Sequence, residues 1–320
     1  MKSNTIIFSI LCLIWGMTWI GIKAGIALVP PLMFAGTRFA VTGILILGIA
    51  CLRGKLPRVA RRDWPRLLLV TLLMIPLCYG PLFWGMLYID SGTAAVLELS
   101  LTPVALLVFA LLLGDERYDG GRLFAILLGV IGLCILFAPE VYSGWAAPNS
   151  HSTSLDVLGS VAVAAAAIIY AWGSVLARPL LAIYSSDFVP GSTTFLGGTA
   201  LVLASLAFEP GSSAALAGNW GWPAWAGWAF LVLFGSVVGY TLFMRLLRDI
   251  GASRAGAFAF VSPVIAVLLG IVVYGEEVGF IEMIGMAVML SAAFLALRDP
   301  KDSKSPKALS VITAHSRDWL

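Results

Sequence analysis

The chain has 320 residues, of which 60% are hydrophobic and 12% charged. Soluble domains average about 45–50% apolar and about 25% charged, so a soluble globular protein is excluded, as is disorder away from the ends. The net charge of +3 is too small for a nucleic-acid surface, and a mean hydropathy of +0.97 points to a polytopic membrane protein.

In chain order, apolar runs predict spans at 4–28, 32–52, 67–89, 92–113, 122–138, 155–177, 188–208, 224–247, 251–273 and 278–297. The first run exceeds the signal-peptide core of about 7–15 apolar residues, so it reads as a retained span. The bilayer core has no water to satisfy backbone groups, which leaves helices or a closed barrel. Runs of about 20 apolar residues fit helices; barrel strands would be about 10 residues with strict alternation. The expected fold class is an all-α polytopic membrane protein of ten transmembrane helices.

Charge gives an orientation. With the N-terminus inside, 18 of the 20 Lys and Arg fall on the inner side, in loops, the tail or the inner ends of spans, and the outer loops hold none. Lys23 and Arg38 are the two within spans. The positive-inside rule therefore places both termini in the cytoplasm. Trp145, Trp220, Trp222, Trp225 and Trp228 are expected at the outer interface as an aromatic belt. Cys12, Cys51, Cys78 and Cys134 lie in apolar runs without Cys-x-x-Cys spacing or paired His. Buried, inert thiols are expected, with no disulfide, metal or cofactor.

Two segments about 160 residues apart match. Residues 79–116 and 240–277 pair Tyr79 with Tyr240, Thr102-Pro103 with Ser262-Pro263, and Gly114-Asp115 with Gly275-Glu276. Trp15-Gly16 pairs with Trp172-Gly173. The organisation is then a first five-helix repeat over 1–138, a periplasmic linker over 139–154, a second repeat over 155–297 and a flexible tail over 298–320. Five is odd, so the second copy is inverted. Inverted repeats are a transporter signature, with sites at the repeat interface near the midplane. Pro103 and Pro263 free backbone carbonyls in mid-span, either as kinks that shape a cavity or as packing adjustments. Asp115 and Glu276 stand where a carboxylate caps free N–H groups and complements a helix dipole.

Ionisable side chains at depth are costly and usually face the protein interior. Lys23, Arg38 and Glu98 qualify, the last two at similar depth. They suit an ion pair, or a site in which Lys23 or Arg38 meets a substrate carboxylate while Glu98 meets an ammonium or carries a proton. Trp15, Thr18, Trp19 and Lys23 share a helical face by their spacings of three and four, which suits a cavity for an amphipathic solute. Tyr79, Tyr240 and Trp172 join them as cavity candidates, since aromatic faces stack on aromatic groups or attract an ammonium.

At these residues the chain resembles the drug/metabolite transporter superfamily of the EamA type. The resemblance rests on Trp15-Gly16 with Lys23, on Pro30-Pro31 followed by Arg38-Phe39, and on the paired Pro…Gly-acid segments. It implies ten helices, a central cavity and alternating access. The aromatic richness looks closest to exporters of amino acids, including aromatic ones, in a bacterial inner membrane. Thr194 stands where the second half would repeat Arg38, so the halves should not contribute equally to charge recognition. The partners implied are a small-molecule substrate and the bilayer. Efflux of lipophilic cations or amphiphilic drugs is the competing transporter reading. No Walker loop supplies ATP drive. His151 and His315 have no partners at depth for an enzyme, and no charge ring suggests a channel.

Overall fold

A computed structural model describes residues 2–54, 56–89, 91–145, 154–185, 187–269, 271–272 and 278–298. Ten of the described helices are long and apolar enough to cross a membrane. They are Asn4–Ile26, Pro31–Leu52, Arg61–Gly85, Thr93–Leu112, Gly120–Pro139, Ser154–Ile183, Phe188–Phe208, Trp222–Ile250, Ala252–Leu269 and Phe280–Leu297. The all-α class and the number of spans are as the sequence predicts. Glu276 and the tail beyond Arg298 lie outside the described residues.

Several boundaries move for physical reasons. The third span starts at Arg61, not 67. A single 3-10 turn, Arg61–Asp63, leads into the helix Trp64–Met74, which carries Pro65 in its first turn, where a missing N–H costs nothing. The sixth span runs to Ile183 despite Pro179, and the eighth to Ile250. Arg178, Arg245 and Arg248 therefore sit within helices near their ends, not in loops.

Two spans are irregular where the interior is polar. The third breaks at Ile75 (φ −116°, ψ −74°) and resumes at Pro76. The eighth consists of an α-helix Trp222–Phe230, a π-helical stretch Leu231–Val238 and an α-helix Gly239–Ile250. Pro103 and Pro263 lie inside the helices of the fourth and ninth spans.

The closest packing joins the halves and follows the repeat. The second span packs on the seventh and the fifth on the tenth. The first span packs on the eighth and ninth, and the sixth on the third and fourth. Each half thus lends its first helix to the other. The first two pairs meet through glycine. A Cβ on Gly198 would stand 2.2 Å from the Ala40 nitrogen, and one on Gly43 2.4 Å from that of Phe195. Across the fifth and tenth spans, a Cβ on Gly285 would stand 2.6 Å from the Leu136 nitrogen. Lipid competes equally for apolar side chains, so backbone-to-backbone approach is what holds such crossings.

The ends are tied by polar contacts. On the face opposite the basic loops, Glu209 accepts from the Leu32 and Met33 N–H groups at 2.9 and 3.2 Å. It caps the second span from the end of the seventh, and Ser205 donates to the same carboxylate at 2.5 Å. On the basic face, the Tyr184 hydroxyl donates to Asp63 at 2.7 Å and accepts from the Ala60 N–H at 3.1 Å.

Two sequence expectations need correction. Trp220 is not a belt residue: it is 7% exposed and stacks on Trp225, with ring centroids 4.5 Å apart. Trp228 donates to the Thr37 hydroxyl at 3.2 Å, so these indoles brace the second span. Trp222, 81% exposed, fits the belt; the Trp145 side chain lies outside the described residues. Cys12 and Cys78 are buried, but Cys51 and Cys134 are exposed, because they fall on outward helix faces.

Gly198→Ala tests the crossing. The added methyl meets backbone, which cannot rotate away, so a loss of about 1–3 kcal/mol is expected. A fall in melting temperature relative to Gly48→Ala checks it, since Gly48 has open space around its Cβ position.

Candidate functional site

The first span brings Trp15, Thr18, Trp19 and Ile22 to a cavity of about 70 Å³. The second contributes Arg38, the third Tyr79 and Leu82, and the fourth Glu98, Leu99 and Thr102. Tyr170 of the sixth span and Phe258 and Ser262 of the ninth complete the lining. Beneath it, toward the basic face, Leu106, Phe243 and Leu247 are fully buried. Phe243 packs against Trp15, Tyr170 and Phe258 of the lining, so packed apolar residues underlie the cavity there.

Arg38 is 4% exposed. Its Nε donates to the Ser236 hydroxyl at 2.9 Å. Its guanidinium carbon lies 4.5 Å from the Phe39 ring centroid and 5.8 Å from that of Tyr79, within the range of cation–π attraction. Nη1 finds no acceptor. Glu98 joins none of the ion pairs within 4.0 Å among the described residues. The two charges line one cavity without pairing, so the ion-pair reading of Arg38 and Glu98 does not hold here.

Trp15 explains the paired Trp-Gly sequence. Its indole N–H donates to the Gly235 carbonyl at 3.1 Å. A backbone carbonyl has a second lone pair to accept it, and Gly235 and Ser236 both lie in the π-helical stretch, a feature frequent at functional sites. Gly16 faces the ninth span, where a Cβ would stand 2.8 Å from the Ser262 carbonyl oxygen. The Trp15 ring packs edge-on to Phe258 at 4.6 Å and lies 5.1 Å from Phe243. Thr18 donates to the Trp15 carbonyl at 2.7 Å, leaving its lone pairs to accept.

Of the nine cavity candidates, Trp15, Thr18, Trp19, Arg38, Tyr79 and Glu98 come together. The Lys23 side chain lies outside the described residues. Tyr240 is 1% exposed, behind the cavity, with its hydroxyl 3.6 Å from the Met74 sulfur. It does not face Tyr79 across open space. Trp172 is 39% exposed and stacks on Phe109, centroids 6.0 Å apart, so it lies on the outer surface of the bundle. Tyr170, two residues earlier, takes the interior position. Thr102 and Ser262 also line the cavity, and each directly precedes a repeated mid-span proline. The hydroxyl-Pro pairing was the signal for them; the prolines alone drew the attention.

Asp115 caps no helix. It pairs with Arg178, whose Nε donates to the Leu247 carbonyl at 2.9 Å. The capping role falls to its neighbour Glu116. That carboxylate accepts from the Ser253 N–H at 3.1 Å, from the Ser253 hydroxyl, and from Arg122 at 2.5 Å. No group of three or more His, Cys, Asp or Glu able to hold a metal occurs among the described residues.

Three buried polar atoms without a partner, Arg38 Nη1, Tyr170 Oη and Ser262 Oγ, belong to residues of this one cavity. Buried polar groups are nearly always paired, so their convergence marks a place built to receive something polar. The EamA-like transporter family model matches residues 3–138 and 157–298. The chain belongs to the EamA-like transporter family. It is a membrane transporter, not an enzyme. The uncharacterized inner membrane transporter YedA of Escherichia coli strain K12 is 30% identical over 291 residues, covering 89% of this chain and 87% of its own. The uncharacterized transporter YvbV of Bacillus subtilis strain 168 is 25% identical, covering 95% of each chain. A crystal structure of 19% identity shares the fold, with a TM-score of 0.75 over 92% of this chain and 97% of its own.

Trp15→Phe removes the bond to Gly235 and is expected to cost about 1 kcal/mol and to slow transport. Trp172→Phe should leave both unchanged. Melting temperature and flux of the two variants, measured side by side, check the assignment.

Proposed function

We propose that the protein exports amino acids or similar small zwitterionic metabolites across the inner membrane, by alternating access around the central cavity. The observation that carries this reading is the cluster of unpartnered polar atoms beside Glu98, which joins no ion pair among the described residues. Arg38 Nη1 with the Ser262 hydroxyl suits a carboxylate, and Glu98 suits an ammonium. Satisfying both in one step is cheaper than burying either charge unpaired. Trp15, Trp19, Tyr79 and Phe258 give an apolar wall on which a side chain can stack. The name of the Escherichia coli relative supports the inner membrane. The basic loops support a cytoplasmic placement of the face closed by Asp115 and Glu116. The closed state is then one in which the cavity is sealed from the cytoplasm.

Thr194 is fully buried away from the cavity lining, which supports no part for it in charge recognition. The polar work falls on the first half, with Tyr170 and Ser262 as the contribution of the second.

Counterflow in proteoliposomes tests this. Vesicles loaded with one unlabelled amino acid are challenged with the labelled form, using phenylalanine, tryptophan, threonine, methionine, lysine and glutamate in turn. Accumulation is expected for at least one neutral amino acid, and Arg38→Lys should cut it about tenfold, because Lys lacks the planar fork that serves Ser236 and the solute together. Glu98→Gln should weaken the flux or its response to a pH gradient. Silence for all six, with exchange of a lipophilic cation, would replace this reading by drug efflux, for which Glu98 among aromatics is the favourable feature.

A further inference from the structure

The eighth span touches both the cavity and the closure of the basic face. At one end its π-helical stretch holds two cavity residues, through Ser236 to Arg38 and through the Gly235 carbonyl to Trp15. From there an unbroken α-helix, Gly239–Ile250, runs to the basic face. At that end the Leu247 carbonyl accepts from Arg178, which pairs with Asp115. Four residues further, Gly251 makes the turn into the ninth span with φ +92°. A Cβ there would stand 2.6 Å from a Glu116 oxygen. Glu116 itself holds Ser253 by its N–H and hydroxyl and is braced by Arg122.

Asp115 and Glu116 are consecutive. Both of their N–H groups donate to the Ala110 carbonyl, at 2.8 and 3.0 Å, so one turn presents two carboxylates to the other half. These carboxylates are 9% and 8% exposed on the side chain. Charge-assisted bonds at that burial are stronger than exposed pairs, which contribute little. On the same face the Tyr184 hydroxyl also joins the halves, through Asp63 and the Ala60 N–H, whereas the pairs of Arg245 and Arg248 with Asp249 stay within the eighth span.

We propose that the Asp115–Glu116 turn is the latch that keeps the basic face closed, and that the eighth span couples it to the cavity through its π-helical stretch. Ser236 and Leu247 are eleven residues apart, about 16 Å along a helix at 1.5 Å per residue. A solute that takes Arg38 away from Ser236 releases the cavity end of that helix. A shift of the π-helical turns then moves the Leu247 carbonyl and the Gly251 turn relative to the two carboxylates. Packed helices switch between discrete arrangements instead of deforming smoothly, so loss of either anchor favours the open state. The proposal rests on the transporter reading, but not on which solute is carried.

A cysteine reporter tests it without any solute. In a background lacking the four native cysteines, Ala110→Cys places a thiol directly under the latch, at a site that is fully buried. Its rate of modification by a hydrophilic maleimide is followed in nanodiscs, where both faces are reachable. Glu116→Gln and Ser253→Ala should each speed labelling about tenfold, the equilibrium effect of losing one charge-assisted bond. Ser236→Ala, at the far end of the helix, should speed it about threefold or more. Arg245→Gln, which removes an exposed charge from the same face, should not. Elution volume and melting temperature establish that each variant is folded. Labelling at the parent rate in both Glu116→Gln and Ser253→Ala would overturn the latch. A response in those two but not in Ser236→Ala would overturn the coupling. Counterflow stands apart from both outcomes, so a wrong solute assignment is distinguishable from a wrong latch.

Discussion

A guanidinium in the middle of a bilayer has to be held by something other than water. Arg38 is held by one hydroxyl and two aromatic rings, and that arrangement shapes its surroundings. Its hydroxyl partner, Ser236, stands on the part of the eighth span that departs from α-helical geometry. The same stretch offers the Gly235 carbonyl to Trp15. A backbone carbonyl keeps a second lone pair for such a donor. The irregular stretch and the anchors of a cation and an indole thus coincide. Irregular backbone within a membrane is tolerated where it lies buried or lines a cavity, and Ile75 of the third span, four residues before Tyr79, follows the same logic.

The two halves do different work within a symmetric frame. Packing obeys the repeat closely: second with seventh, fifth with tenth, first with eighth and ninth, sixth with third and fourth. Chemistry does not. The first half supplies Arg38, Glu98 and the Trp15–Thr18–Trp19 face; the second supplies Tyr170, Phe258 and Ser262. The repeated hydroxyl-Pro pairs are the exception, since Thr102 and Ser262 both reach the cavity. The glycine crossings demand backbone shape alone, which a duplication preserves easily. The cavity demands particular side chains, and these diverged.

Periodicity and charge made the ten spans legible, because bilayer thickness sets run length and the basic loops set their sense. They also placed Trp15, Thr18 and Trp19 on one face, since 3.6-residue geometry leaves little freedom there. Rotation of the other helices was not legible. Trp172 and Tyr240 share repeat positions with cavity residues, yet a helix rotated by one or two residues turns them outward or behind the wall. Helix ends were not legible where a helix runs on past a cation and a proline, as it does for five residues beyond Arg178. Glu116 was hidden by its neighbour: Gly114-Asp115 carries the repeat, while the capping carboxylate is the residue after it.

Lending of the first helix has a consequence for how the chain matures. Spans three and four have their slot filled by residues 154–183, and spans eight and nine by residues 4–26. Neither half is a finished unit when the ribosome has completed it. The N-terminal helix enters the bilayer earliest and waits longest for its permanent neighbours, about two hundred residues later in synthesis. Spans three and four can gain their partner once residue 183 is made, whereas the first helix gains its own only when spans eight and nine follow.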